Sequence, residues 1–180
     1  MRKKLFMYAA FCSIVVTTAL FASCGGDGDG IVGEDANSKV ATEAKVIYET
    51  KFSEDILKFC DIKIAYLNAE GAAQSENITT ANWSKTIVCE KFTAKIGLMY
   101  VITIKEGVNI DKEPLSIGNG YAINYKAYNA KGEVIGFQTE PCSISTGQTS
   151  KELFIKMFSG EGRSYKSYME IYKDGSCQNQ

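Results

Sequence analysis

The chain has 180 residues, with 20 Lys and Arg against 21 Asp and Glu, six Cys, two Pro and no His. The absence of His removes Ser-His-Asp and Cys-His nucleophile activation and the usual catalytic zinc sets. A net charge of −1, with Arg163 the single arginine beyond Arg2, is a poor match to phosphate backbones, so no nucleic-acid partner is expected.

Arg2, Lys3 and Lys4 form a positive start, residues 5–23 carry no charge, and small residues precede Cys24. This is the layout of a secretory signal. Phe21-Ala22-Ser23-Cys24 resembles the signals cut by the lipoprotein peptidase, whose pattern is Leu-[Ala/Ser]-[Gly/Ala]-Cys. Ala22 and Cys24 match, Ser23 is a small residue, and Phe21 stands where Leu is usual. The resemblance implies cleavage of residues 1–23, lipidation of Cys24 and attachment to a membrane through that lipid. The alternative is an uncleaved transmembrane helix, since the apolar run is near spanning length, but no basic stop-transfer cluster follows it.

Removing residues 1–23 takes away three basic and no acidic residues, leaving 17 Lys and Arg against 21 Asp and Glu. Residues 24–43, rich in Gly, Asp, Ala and Ser, read as a flexible tether. The Gly-x-Gly-x-x-Gly string at Gly28, Gly30 and Gly33 follows no strand and carries Asp29, so it reads as tether rather than as a dinucleotide loop. Asp27, Asp29 and Glu34 supply hard oxygens but do not complete a calcium loop, and no metal or cofactor is expected. Residues 44–180 are enough for one core.

Within that domain, period-two alternation marks strands. CDIKIAYL (60–67) places Cys60, Ile62, Ile64 and Tyr66 on one face. KIGLMYVITIK (95–105) places Ile96, Leu98, Tyr100, Ile102 and Ile104 on one face and Gly97, Met99, Val101 and Thr103 on the other, which predicts a central strand. YAINYKAY (121–128) sets Tyr121, Ile123, Tyr125 and Ala127 against Asn124 and Lys126. Shorter strands are expected at 45–51, 86–92 and 133–139. AYLNAEGA (65–72) and KAYNAKGE (126–133) both place Asn-Ala-x-Gly after a strand, and both read as hairpin turns. Ser53 is placed to cap one helical turn over 53–58. SKELFIKMF (150–158) fits either period; with SGEG (159–162) after it, the reading is a strand pair, 151–158 and 165–173.

Short strands at hairpin spacing imply an all-β fold, an antiparallel β-sandwich of about 7–9 strands with an immunoglobulin-like plan. Cys60, Cys89, Cys142 and Cys177 form an even set in a chain marked for export, so two disulfides in one of three connectivities are expected, with buried free thiols as the alternative. A Cys₄ zinc site at these spacings would be unusual.

Gly-Asp-Gly-Asp (26–29) and Glu34-Asp35 resemble the short acidic tag of lipoproteins exported to the cell surface in Bacteroidetes. With Phe21–Cys24, and with Asp61, Tyr66 and Gly71 followed by Trp83, the chain resembles small single-domain lipoproteins of gut Bacteroidetes. That resemblance implies the outer membrane, at the cell surface or on its periplasmic face, and a sandwich fold.

No Ser-x-x-Lys or Walker-type loop occurs, and paired carboxylates have no sequence spacing to find. The remaining binding candidates are aromatic, because a ring offers an apolar face to a sugar. They are Trp83, between Asn82 and Ser84, and a stripe of Tyr165, Tyr168 and Tyr172; core or cross-strand packing is the alternative for each. The expected function is that of a non-enzymatic envelope lipoprotein binding a protein or glycan. An adhesin or pilus-like subunit is the alternative, and a small carboxylate hydrolase a third reading.

Overall fold

The computed structural model describes residues 36–180, so the expected signal, the lipidation site Cys24 and most of the expected tether lie outside the described residues. A short 3₁₀ helix, Ala36–Lys39, leads into β1 (Ala41–Phe52), so residues 41–43 of the span read as tether are strand. The helix α1 (Glu54–Phe59) then leads to β2 (Cys60–Leu67), β3 (Ala73–Ile78), β4 (Asn82–Cys89) and β5 (Ala94–Ile104). The second half holds β6 (Leu115–Ile117), β7 (Asn119–Asn129), β8 (Val134–Gln138) and β9 (Gly147–Thr149). It ends with the helix α2 (Lys151–Phe158), β10 (Arg163–Ile171) and β11 (Cys177–Asn179).

The fold is an open all-β sandwich with antiparallel pairing throughout. One sheet has the order β4-β1-β7-β8, the facing sheet the order β11-β10-β5-β2-β3, and β6 pairs with β9 separately. The faces read on 60–67 and 95–105 bury, Ile104 only in part, whereas Tyr121 of the face read on 121–128 stays exposed. Ala44, Val46, Tyr48, Thr50 and Phe52 of β1 face Cys60, Ile62, Ile64 and Tyr66 of β2 and Ile96, Leu98, Tyr100 and Ile102 of β5, all fully or nearly fully buried. The expected central strand is β5, between β10 and β2. Gly97 on its outer face has a physical reason: a Cβ there would run into the Tyr168 ring, which lies across the glycine from the paired strand.

The two Asn-Ala-x-Gly turns close hairpins by one device. Asn68 Oδ1 accepts from the N–H groups of Glu70 and Ala72 at 3.0 and 2.9 Å, and Gly71 takes φ 75°. Asn129 Oδ1 accepts from Lys131 and Glu133 at 2.9 and 3.0 Å, and Gly132 takes φ 77°. Such side chains mimic a backbone turn, and glycine carries the left-handed residue without a Cβ penalty.

Three differences from the sequence reading have clear causes. Residues 151–158 form a helix, not a strand. Ser150 Oγ accepts from Leu153 N at 3.3 Å, and the helix buries Phe154 and Phe158 on one face while Leu153 and Ile155 stay exposed. A strand would have buried Leu153, Ile155 and Met157 and exposed both phenylalanines, so burial of the larger rings decides the period. Residues 73–78 form the unforeseen edge strand β3; AQSENI lacks apolar alternation, yet β2 supplies its pairing.

The third difference concerns the cysteines. Cys60, Cys89, Cys142 and Cys177 are all free, and the expected disulfides are not formed. The topology separates the thiols. Cys60 opens β2 opposite Ile104, whereas Cys89 ends β4 opposite Ala44, at the other end of the sandwich. Cys142 lies in the segment after β8, and Cys177 sits in the edge strand β11, its sulfur 3.7 Å from Met169 Sδ. Burial pushes Cys60 up to about 12 and Cys89 up to about 11, so neither is a thiolate at neutral pH.

Candidate functional site

The sandwich has two long sides, where the edges of its sheets face each other. On the β3–β4 side the gap is filled. Trp83 occupies an inward position on β4, opposite Thr50, and its ring packs 5.7 Å from Tyr66, which lies 5.8 Å from Tyr48. Lys85, also inward, reaches over the Tyr66 ring at 5.5 Å and pairs with Glu76 of β3 at 3.7 Å. A lysine directed inward from an edge strand also discourages edge-to-edge pairing.

The β8–β11 side is only half filled, because its edge strands are short. β8 pairs with Tyr125–Tyr128 of β7, and β11 with Met169–Ile171 of β10. There the sides close: Tyr125 donates to Gly175 O at 3.0 Å, and a Cβ on Gly136 would strike the Gly175 carbonyl. The start of β7 and the start of β10 have no further strand beside them among the described residues. Inward positions on these stretches are therefore reached by solvent, and an inter-sheet cleft results.

The register identifies its residues. The inward positions of β10 are Arg163, Tyr165, Ser167, Met169 and Ile171, paired with Ile102, Tyr100, Leu98, Ile96 and Ala94 of β5. The series runs from charged to apolar as the sandwich closes. On β7 the inward positions Asn119 and Tyr121 pair with Phe52 and Thr50, before the buried Ile123 and Tyr125. Tyr121 is 40 % exposed although its strand neighbours at 123 and 125 are core.

Tyr100 forms the floor. Its ring stacks on Tyr165 at 4.9 Å and 22°, and meets Tyr121 edge-on at 6.2 Å and 71°. Its hydroxyl is 2.7 Å from Asn119 Nδ2, which donates to it. Burial raises the Tyr100 pKa well above that of an ordinary tyrosine, with the Asn119 hydrogen bond opposing, so it is a neutral hydrogen-bonding group at any physiological pH. The Arg163 guanidinium lies 5.4 Å from the Tyr165 ring centre. A cavity of about 200 Å³ lies among Arg163, Tyr165, Asn119, Ser145, Ile117 and Met157. A second, of about 150 Å³, lies among Tyr121, Gln138, Glu140, Ser167, Met169 and Asn179.

The end of the cleft is held by a buried carboxylate. Asp55, 3 % exposed, accepts from Lys112 Nζ at 2.9 Å and from Ser116 N at 2.7 Å. Ser53 Oγ donates to Ser116 O at 2.9 Å rather than capping α1. These bonds fasten β6, with Ile117 and the Gly118 that follows it, to α1, with Ile56, and all three of those residues line the larger cavity. Burial by itself would raise the Asp55 pKa; the Lys112 ammonium and the Ser116 N–H outweigh it and hold the carboxyl below its usual range.

A strap over residues 139–146 crosses the outside of β7. Asn124 grips it, donating to Glu140 O at 3.1 Å and accepting from Glu140 N at 2.6 Å. Gly120 is required there, since a Cβ would meet the Ser143 carbonyl.

The aromatic residues singled out from the sequence are dispersed. Trp83 packs on the closed side. Tyr165 is inward, in the cleft, while Tyr168 is on the opposite face of β10 over Gly97, as a three-residue spacing on a strand requires. Tyr172 lies beyond β10 and donates to Glu170 Oε2 or Gln178 Oε1, at 3.2 and 3.1 Å. Of the proposed stripe, only Tyr165 joins the cleft. Tyr121, Tyr100, Asn119 and Arg163 were missed as site residues, although polar Arg163 and Ser167 on the inward row of β10 were the available signal.

Among the described residues no group of three or more His, Cys, Asp or Glu is placed to hold a metal ion, and no helix is long and apolar enough to cross a membrane. No family model matches the chain, and no curated protein matches it.

Proposed function

We propose that this protein is a lipid-anchored, non-enzymatic binding module of a bacterial envelope, and that the cleft between β7 and β10 takes a saccharide chain. Cys24 carries the anchor, and the segment before Ala41 gives the sandwich reach from the membrane. The outer membrane is the compartment that the acidic glycine tract favours.

The observation that carries the reading is Tyr121. It is a large ring at an inward position, exposed by the shortness of β8, beside the polar groups of Gln138, Ser167 and Asn179. Sugars are bound in this way, by an aromatic face with amides and hydroxyls beside it. Both cavities are smaller than the roughly 300–1,000 Å³ of pockets that enclose a drug-sized ligand. They suit an extended chain laid along the cleft, one unit at a time. Of the two linings only that of the smaller cavity carries a carboxylate, Glu140, which favours binding over the paired-carboxyl chemistry of a glycosidase.

The test is a glycan-binding screen of the full chain against Tyr121→Ala. Binding that Tyr121→Ala weakens supports the reading; binding to no glycan, or turnover of a bound one, sinks it. A second reading, an assembly subunit that accepts a strand from another chain, is favoured by the unpaired starts of β7 and β10. It requires concentration-dependent oligomers in solution.

A further inference from the structure

We infer that the cleft selects anionic saccharides, with the Arg163 guanidinium receiving a sugar carboxylate; this rests on the saccharide reading above. Arg163 is the single arginine outside Arg2. It occupies an inward position opposite the fully buried Ile102, where β-sheet alternation calls for an apolar side chain. It forms no ion pair among the described residues. Its guanidinium lies over the Tyr165 ring, 5.4 Å away, and that ring is backed in turn by Tyr100 at 4.9 Å.

This stack has two consequences. A guanidinium packed on a ring is pre-organised and keeps its N–H fork for a planar oxyanion, which a lysine cannot match. The larger cavity, which Arg163 lines, contains no other charged residue. Arg163 is itself exposed, at the open side of this cavity, and the apolar walls beside it, Ile56, Ile117, Met157 and Phe158, screen its charge less than water on every side would. Asn119 and Ser145 are the neutral polar groups beside it, suited to hydroxyls next to the carboxylate.

The aromatic residues set the length of the ligand. Tyr165 and Tyr121 both lie against Tyr100, at 4.9 and 6.2 Å between ring centres. Tyr165 has Tyr100 on one side and Arg163 near it, whereas Tyr121 is open. One sugar unit on Tyr121 and a neighbouring carboxylated unit at Arg163 would span the cleft. The ligand class is thus an oligosaccharide containing a hexuronate or a sialate, and a neutral chain lacks the group that Arg163 awaits.

The experiment uses an array that sets hexuronate- and sialate-containing, sulfated and neutral chains side by side, probed with the full chain and with Arg163→Gln, Arg163→Lys and Tyr121→Ala. Melting curves check that each variant is folded. The expected result is preferential binding of carboxylated chains. Arg163→Gln should lower it about tenfold, in line with the loss of a charged hydrogen bond, while Arg163→Lys keeps part of it. Equal binding of neutral chains, preference for sulfated ones, or a carboxylate preference that survives Arg163→Gln overturns the inference. If neutral chains bind and Tyr121→Ala removes them, the saccharide reading stands without the anionic one. If no class of glycan binds, both fall.

Discussion

Trp83 and Tyr121 are opposite Thr50 of β1, one from each neighbouring strand, and both occupy inward positions. Trp83 packs against Tyr66 and closes one side of the sandwich; Tyr121 stands 40 % exposed on the other. The difference does not come from the residues, since either ring could fill a core. It comes from what lies across the gap. β3 runs six residues along the closed side and brings Glu76 to Lys85. β8 and β11 run five and three residues, and stop before they reach Tyr121 and Tyr165. An inward ring becomes core or binding surface according to the length of the neighbouring edge strands.

This comparison is open to direct attack. The largest effect is expected on the closed side. Trp83→Ala should cost about 2–3 kcal/mol in urea unfolding, less than a fully buried tryptophan because the ring is only partly buried, and should leave glycan binding unchanged. If binding falls with it, the closed side is part of the site and the contrast fails.

Asp55→Ala should cost about 2 kcal/mol, because it strands the Ser116 N–H and removes a charged hydrogen bond. It should also weaken binding, since α1 and β6 frame the end of the cleft. The same carboxylate sets a pH dependence. Its pKa is lower in the folded chain than in the unfolded one, so its contribution is present at neutral pH. That contribution fades as the pH falls through the folded value, which lies below the usual carboxylate range. Unfolding curves of the full chain and of Asp55→Ala should converge in acid; a constant gap between them would refute the assignment.

Tyr121→Ala should reverse the pattern of Trp83→Ala. It should change stability by about 1 kcal/mol or less, given its exposure, while reducing glycan binding about tenfold. A large loss of stability would instead make Tyr121 a core residue. The smallest effect is expected at Lys85. Lys85→Met should leave the melting temperature nearly unchanged but increase self-association in light scattering, because the edge loses its inward charge.

Much of the sandwich was legible because its signals are local. The alternation of CDIKIAYL and KIGLMYVITIK fixes their buried faces, and Asn68 and Asn129 build their turns from the residues that follow them. The segment 150–158 was not legible, because its sequence satisfies both periods and the choice rests on where Phe154 and Phe158 find partners. Phe154 meets Phe59 at 6.3 Å, a residue some 95 positions earlier, and no local pattern carries that contact. The cysteine count likewise allowed disulfides, and the placement of Cys60 and Cys89 at opposite ends of the sandwich removed them.

The site divides in the same way. A stripe of Tyr165, Tyr168 and Tyr172 on a terminal strand does not survive the three-residue step between the first two; on β10 a period of two sends Tyr165 inward and Tyr168 outward. By itself the sequence determined the class of fold, the faces of the long strands, the two Asn-Gly turns and the catalytic chemistries that a chain without His lacks. Tertiary structure alone decided that Trp83 is packing, that Tyr121, Tyr165 and Arg163 share one cleft, and that the thiols stay apart. The reason is physical: alternation and turn chemistry act over two to four residues, whereas a cleft is made by where distant edge strands end.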